Sequence, residues 1–422
     1  MDKLLVHGNG SLQGSINISG SKNASLPILA ATLLSSEPSI IRRVPDVSDT
    51  NYMLQILRAL GAEVERSSGT VRVEPASIAP EAPYDLVRKM RASICVMGPL
   101  LARVGRAKIS LPGGCVIGDR PVDLHLKAMQ GLGARVEMEG GDIILSAPGG
   151  LLGAEVDMRG KHGPTVLGTD NLMMAAVLAK GTTVIDSAAS EPEVVDLANF
   201  LVKMGARIKG AGTRRIEING VEELKGVEHT IIPDRIEAGT FMVAGAMAGE
   251  GVTLRRVCRE HLKAATEKLE EAGHDVLFNE TGTEVTISPG EAPRGCDVTT
   301  APYPGFPTDM QAQFTAMFAT TPGISLVEDA IFPQRFMHCS EMKRMGADIT
   351  VDGGRALVRG VQRLSAAPVM ASDLRASAAL VLAALKAEGT TEINRLYHID
   401  RGYEHIDDKL LQLGGQVERV PA

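Results

Sequence analysis

What most constrains this chain is a phrase that returns about every 70 residues, a periodicity to be settled before any single element is read. It occurs as LRALGAEVE, MQGLGARVE, LVKMGARIK, LEEAGHDVL, MKRMGADIT and LLQLGGQVE, with its glycine at Gly61, Gly133, Gly205, Gly273, Gly346 and Gly414. In each copy an amphipathic run with apolar residues at helical spacing stops at the glycine, which can take a left-handed backbone at a helix end, and strand-like alternation follows. A second phrase keeps step with the first. It is a small-residue-rich run with almost no charge, then a turn, then a β-branched stretch, as in NASLPILAATLLSSEPSIIRRV and RASAALVLAALKAEGTTEINRL. Such runs predict helices buried on all sides, with the charged helices of the first phrase beside them. The pattern predicts an α/β chain of six units, each strand, buried helix, strand, exposed helix, strand, strand. A solenoid would repeat at shorter period, and three units make a domain of ordinary size, so two similar domains are expected, with residues 226–233 as the crossover.

Composition narrows the function classes. Net charge is -7 and aromatic residues make up 3%, which argues against a nucleic-acid surface of basic patches and stacking rings. The longest charge-free apolar stretches, such as residues 92–102, are too short to span a bilayer, and the opening MDKLLVHGNGSLQG lacks the features of a secretory signal. A cytoplasmic protein is expected. The five cysteines (Cys95, Cys115, Cys258, Cys296, Cys339) form neither a disulfide framework nor a paired zinc spacing. His338, His398 and His405 show no ligand spacing, so neither metal nor cofactor is assigned.

Several segments could carry chemistry. LPGGCVIGDRPVDLHL at 111–126 sets a lone cysteine among glycines between strand and helix. A thiolate near Arg120 would titrate below the ordinary thiol range, making Cys115 a nucleophile or a proton donor, and Pro121 is placed to open the helix. Cys95, Cys258, Cys296 and Cys339 read as packing residues. SGSKNAS at 19–25 places Lys22 at the start of a buried helix, where it is either an anion ligand or a solvated helix end; the spacing is not that of a P-loop. Arg91, Arg120, Arg375 and Arg401 suit a bidentate grip on phosphate or carboxylate, with Asp373 and Asp400 as neighbours able to hold Arg375 and Arg401 in place. In PYPGFPTDMQAQF, Asp309 is either a helix cap or a general base.

Taken together and in this order, SGSKNASLPILAATLL, MRASI, PGGCVIGDRPVDLHL, EPEVVDLANFL, PDRIEAGTF, PYPGFPTDMQAQF, the FMH of QRFMH, DLRASAALVLAAL and YHIDRGYEHIDDKL resemble the UDP-N-acetylglucosamine 1-carboxyvinyltransferase (enolpyruvyl transferase) family. The resemblance implies two three-unit domains of inside-out α/β barrel type, residues 20–229 and residues 1–19 with 230–422, the first strand belonging to the second domain. It implies transfer of the enolpyruvyl group of phosphoenolpyruvate to the 3-hydroxyl of UDP-N-acetylglucosamine with release of phosphate, an early step towards peptidoglycan. By that resemblance Lys22, Arg120 and Arg401 bind phosphate and carboxylate, Cys115 donates a proton and can form a covalent adduct, and Asp309 takes the hydroxyl proton. Arg91 and Arg375 are supporting cations. Asn23, the run Arg120, Pro121, Val122, Asp123 and Leu124, Asp309 and Ile331 match positions that contact the substrates. The related shikimate enzyme shares the repeats and reaction type but lacks this Cys loop.

One stretch departs from the family pattern. RGKHGPTVLGTDN at 159–171 stands where relatives commonly carry V-G-A-T, so if Val166 matches the Val, Leu167 replaces a glycine that lets backbone approach the nucleotide. Lys161, His162 and Thr165 are then the residues expected to restore the contacts. Two other readings stand beside the favoured one: the same chemistry on another nucleotide acceptor, and a catalytically silent relative acting as a binding protein. Retention of Lys22, Cys115, Arg120, Asp309 and Arg401 speaks against the silent relative.

Overall fold

A computed structural model describes residues 2–111, 122–161 and 163–421. The six glycines of the first phrase all have positive φ, from 84° at Gly414 to 111° at Gly205. Each follows a charged helix and precedes a strand. Ser48–Ala59 thus leads to Glu63–Ser67, Arg259–Glu271 to Asp275–Phe278 and Ile406–Gln412 to Gln416–Pro421. A left-handed residue without a Cβ reverses the chain within two or three residues, and any other side chain there would be strained.

The apolar runs of the second phrase form Lys22–Ala31, Met97–Val104, Val166–Ala176, Arg235–Ala248, Gln311–Phe318 and Leu374–Leu385. In the last of these, every residue from Arg375 to Leu385 is buried. Alanine and glycine keep such helices thin, so they pack closely with little side-chain entropy lost.

The chain forms two compact units, one of residues 20–232 and one of residues 2–19 with 233–421 among those described. Each has its own hydrophobic core. In the unit 20–232, Ser39–Arg42 pairs parallel with Glu228–Thr230 and antiparallel with Thr70–Glu74, and Glu63–Ser67 completes the sheet. Ile41 lies opposite Val71 and both are fully buried, as period-two alternation requires of a sheet with one face on a core. Thr182–Asp186 repeats the pattern with Glu155–Asp157 parallel and Arg215–Asn219 antiparallel to it, and Arg207–Lys209 completes the sheet beside Arg215–Asn219. Between them, Arg106–Ser110, Asp142–Ser146 and Arg135–Glu139 make a three-stranded sheet whose parallel neighbour is reduced to one bridge, Glu81 to Lys108.

In the other unit, Gly249–Arg255 and Ile324–Glu328 each take one parallel partner, Leu12–Asn17 and Val298–Thr299 respectively, and antiparallel partners on the other side. The third sheet places Asp2–His7 in its interior, antiparallel to both Thr390–Asn394 and Gln416–Pro421. The chain passes between units after Ser19 and after Ile232. Near these points, Ser21 N–H donates to Ile232 O in one unit and Asp234 N–H to Ser19 O in the other.

Candidate active site

In the unit 20–232, Ser21 caps the helix Lys22–Ala31, its hydroxyl accepting from Ala24 N–H at 3.2 Å. Capping fixes Lys22 at the first helical position. Its side chain is 12% exposed and its ammonium lies 3.3 Å from Asp49, whose side chain is 3% exposed, so it is not a solvated helix end. Asn23 beside it is half-buried.

Arg91, half-buried, opens the 3-10 turn Arg91–Val96 and faces His125, on the helix Asp123–Gly131. Burial, and then the Arg91 charge, push His125 down to about 4, so the ring is neutral near pH 7. The amide of Asn171 bonds Ile94 O at 2.9 Å and His125 Nδ1 at 3.0 Å, while its oxygen accepts from Gly98 N–H at 3.0 Å. One buried side chain thus ties together three segments: that of Arg91, that of Val122, Asp123 and Leu124, and the helix Val166–Ala176. Nothing in the repeat pattern signals this. Asn171 and His125 are 46 residues apart, and only the fold brings them together.

Thr165 and Val166 were expected at the nucleotide, and the structure gives Thr165 a local task. Its hydroxyl caps the helix Val166–Ala176 by accepting from Gly168 N–H at 3.2 Å. Val166 and Leu167 fill its first turn, half-buried against the unit's core. The close-packed glycine sits one residue further on, since a Cβ at Gly168 would lie 2.4 Å from Thr165 Cγ2 and 2.9 Å from Met158 Cε. Arg159–Gly160 pairs with Gly163–Pro164 as a short hairpin, putting Lys161 at its exposed tip. Leu124 rests against that hairpin, its Cδ1 3.2 Å from where a Gly160 Cβ would be. Cys115, Arg120, Pro121 and His162 lie outside the described residues. Of the other cysteines, burial pushes the Cys95 thiol well above the ordinary range, Cys296 up to about 11 and Cys339 up to about 12, so none is thiolate at neutral pH.

In the other unit, Asp309 does not cap its helix. It lies in the 3-10 turn Thr308–Met310, and the cap of Gln311–Phe318 makes no side-chain bond. Its carboxylate is clamped between two nearly buried guanidiniums, Arg335 at 2.7 Å and Arg375 at 3.1 Å. Asp373 was expected to hold Arg375 but instead caps its own helix, accepting from Arg375 N–H at 2.9 Å and Ala376 N–H at 3.2 Å. Asp400 likewise turns away from Arg401 and grips Arg419 bidentately at 2.9 and 3.0 Å. In both pairs the sequence neighbour loses to a partner the fold supplies. Burial works against the Arg375 charge, yet Asp309 facing it leaves the guanidinium more firmly protonated than an ordinary arginine.

Arg335 is a site residue that sequence reasoning missed, although it stands one position before the FMH quoted above. Asp329 is another. It accepts from Thr300 Oγ1 at 2.9 Å, Thr308 Oγ1 at 2.6 Å, Ile331 N–H at 3.0 Å and Phe332 N–H at 2.8 Å. That one buried carboxylate fixes the half-buried Ile331 and the residue next to Asp309. Arg401 ends the 3-10 turn Leu396–Arg401, half-buried near His398, whose ring burial and then Arg401 push towards the neutral form. Among the described residues no group of three His, Cys, Asp or Glu is arranged to hold a metal ion, and no helix is long and apolar enough to cross a membrane. One unit thus holds a carboxylate between two guanidiniums, and the other, taken by itself, holds cations at helix starts, groups of the kinds that bind anions and move protons.

The family described as EPSP synthase (3-phosphoshikimate 1-carboxyvinyltransferase) matches residues 6–410. The chain belongs to the enolpyruvyl transferase family. It is 72% identical, over 100% of its own length and 99% of the relative's, to a protein of Akkermansia muciniphila named UDP-N-acetylglucosamine 1-carboxyvinyltransferase. It is 56% identical over 100% and 99% to one of that name from Methylacidiphilum infernorum. Among solved structures, the enolpyruvyl transferase NikO of Streptomyces tendae superposes with a TM-score of 0.90 at 26% identity, covering 100% of this chain and 99% of that one. An EPSP synthase of Acinetobacter baumannii, 17% identical and covered end to end, shares the fold with a TM-score of 0.79. The α/β architecture is therefore that of enolpyruvyl transferases.

Proposed function

We propose that this chain transfers the enolpyruvyl group of phosphoenolpyruvate to the 3-hydroxyl of UDP-N-acetylglucosamine and releases phosphate, in peptidoglycan precursor synthesis. The observation that carries this is the 72% identity, end to end, with a UDP-N-acetylglucosamine 1-carboxyvinyltransferase. The chemistry divides into two steps. The acceptor hydroxyl oxygen bonds to C2 of phosphoenolpyruvate as C3 takes a proton, giving a tetrahedral adduct. The bond from C2 to the phosphate oxygen then breaks, phosphate leaves, and C3 loses a proton to restore the double bond.

Asp309 is the group that takes the hydroxyl proton. Two guanidiniums hold its carboxylate in place. A carboxylate suffices because the hydroxyl becomes acidic only as its bond to C2 forms. Lys22, Arg120 and Arg401 neutralise phosphate and carboxylate, with Arg91 and Arg375 in support. Cys115 supplies the C3 proton and can add covalently. Asn23, Pro121, Val122, Asp123, Leu124, Lys161, His162, Thr165, Val166 and Ile331 form the remaining substrate contacts. A cytoplasmic reaction fits two substrates that are multiply charged and do not cross a bilayer unaided.

A second reading changes the acceptor alone. The observation that favours it is Leu167, with the close-packed glycine at Gly168. Phosphate release from phosphoenolpyruvate with a panel of acceptors tests both readings. UDP-N-acetylglucosamine is expected to support turnover best; release with UMP or another nucleotide and none with UDP-N-acetylglucosamine would replace the first reading by the second.

A further inference from the structure

Two segments expected at the substrates begin without a side-chain cap. Met90, before the 3-10 turn Arg91–Val96, and Val122, before the helix Asp123–Gly131, carry no polar side chain and make no capping bond. The helix Val166–Ala176 is capped, by Thr165, and Asn171 on it is fully buried. From this capped helix the Asn171 amide reaches both uncapped segments, Ile94 O in the turn at 2.9 Å and His125 Nδ1 in the first turn of the helix at 3.0 Å.

The proton directions around Asn171 are fixed by chemistry. Its oxygen accepts from Gly98 N–H at 3.0 Å, and turning the amide over would set its NH₂ against that N–H and its oxygen against Ile94 O. The amide nitrogen therefore has two protons for two acceptors, Ile94 O and His125 Nδ1. An amide nitrogen accepts nothing, so His125 Nδ1 is bare and the one ring proton sits on Nε2. A proton on Nδ1 would break this bond, and burial opposes the cation as well, helped by Arg91 and resisted by Asp123, so that the ring is held down to about 4. Gly98 permits the close approach, since a Cβ there would lie 2.4 Å from Asn171 O.

We propose that Asn171 and His125 are positioning residues for the nucleotide sugar: the amide holds His125 as its Nε2–H tautomer, and the ring sets where Asp123 and Leu124 stand. The proposal rests on the reading of Asp123 and Leu124 as substrate contacts. Leu124 directly precedes His125 and packs on the hairpin at Gly160, so a first turn that slips carries Leu124 off that support. Ala128 and Met129, both fully buried, hold the same helix to the core one turn further on. The His125 bond therefore governs the first turn more than the fold.

The test is Asn171→Asp, which keeps the shape and turns the donor into an acceptor, beside His125→Leu, which removes the ring acceptor, and His125→Gln, which can keep one. Nitrogen-15 spectra of histidine-labelled protein, assigned by the signal lost in His125→Gln, read the tautomer without substrate. From about pH 8 to about pH 5.5 the wild type should show a bare Nδ1 and a protonated Nε2, and Asn171→Asp a protonated Nδ1. In phosphate release, the KM for UDP-N-acetylglucosamine should rise about five- to thirtyfold in Asn171→Asp and His125→Leu and return to within about threefold of wild type in His125→Gln. Across all three, kcat and the KM for phosphoenolpyruvate should stay within about twofold. A wild-type ring protonated at Nδ1 overturns the proposal. So does a KM for the nucleotide sugar that does not move, or that moves only together with kcat and the KM for phosphoenolpyruvate. If the wild type releases phosphate only with another acceptor, it is the reading of the acceptor that fails, and the KM for that acceptor decides the proposal by the same criterion. Should Asn171→Asp fail to fold, His125→Leu and His125→Gln decide.

Discussion

In the unit 20–232 the polar hub is an amide: Asn171 joins three segments through neutral partners, one of them a histidine that burial keeps uncharged. In the other unit the hub is ionic, Asp309 between Arg335 and Arg375. The amide hub keeps its full strength above pH 6.5, where its histidine is neutral in the folded and the unfolded chain alike. The ionic hub couples geometry to charge, so it cannot lose one member quietly. The difference is that one unit fixes shape with neutral groups, while the other fixes a carboxylate between cations.

The largest effect expected from breaking this comparison is in the ionic hub. Asp309→Asn keeps the volume but removes the proposed base, and turnover should fall about 10²- to 10⁴-fold. A loss smaller than tenfold in single-turnover kinetics would move the base elsewhere. Next comes the neutral hub. Asn171→Leu strands Gly98 N–H, Ile94 O and His125 Nδ1 in the interior, and urea unfolding should show a loss of roughly 3 to 5 kcal/mol. If stability changed by less than about 1 kcal/mol, the amide would be an accessory to packing that holds without it.

Acid sharpens the comparison further, because each unit buries a histidine held down to about 4, His125 in one and His338 in the other. Burial leads in both cases. A ring with a folded value below the unfolded 6.5 binds its proton more readily when the chain unfolds. The stability tied to it is therefore complete above pH 6.5 and is lost as pH falls towards 4. Each histidine should account for about 3 kcal/mol of that loss. Denaturation curves at pH 7.5 and 4.5 should flatten selectively in His125→Gln and His338→Gln, and identical pH slopes in wild type and variants would contradict it. The smallest effect belongs to Lys161. At an exposed hairpin tip its charge is screened, so Lys161→Ala should raise the KM for UDP-N-acetylglucosamine only about two- to fivefold and leave that for phosphoenolpyruvate unchanged.

Local rules made the elements legible. A glycine ending each amphipathic helix can be read because the left-handed turn is decided by the residue itself, and uncharged runs can be read as buried helices because burial without partners excludes charge. Lys22 and Asp309 stand out for a similar reason: each is a charge in a segment otherwise free of them. Side-chain pairing was not legible. Arg375 and Arg401 each have an aspartate two residues or fewer away, but in Arg375 that neighbour serves the backbone, and in Arg401 it serves Arg419. The partner of Arg375 is 66 residues distant, and nothing in either segment encodes the other. Arg335, Asp329 and Asn171 are illegible on the same ground. Their importance lies in what they touch, and each touches residues brought near only by the sheets.

The interior strand Asp2–His7 sets a timetable for synthesis. It lies between Thr390–Asn394 and Gln416–Pro421, so this segment leaves the ribosome long before residues 390–421 and must wait for them before its sheet can close. At about 5 to 20 residues per second that wait is roughly 20 to 80 s. The unit 20–232 needs nothing beyond Ile232 and can close while the rest is still being made. A nascent chain thus carries one finished half and one orphaned, edge-exposed strand for most of its translation. That strand, Asp-Lys-Leu-Leu-Val-His, is where a trigger chaperone or a stray β-edge would find it first.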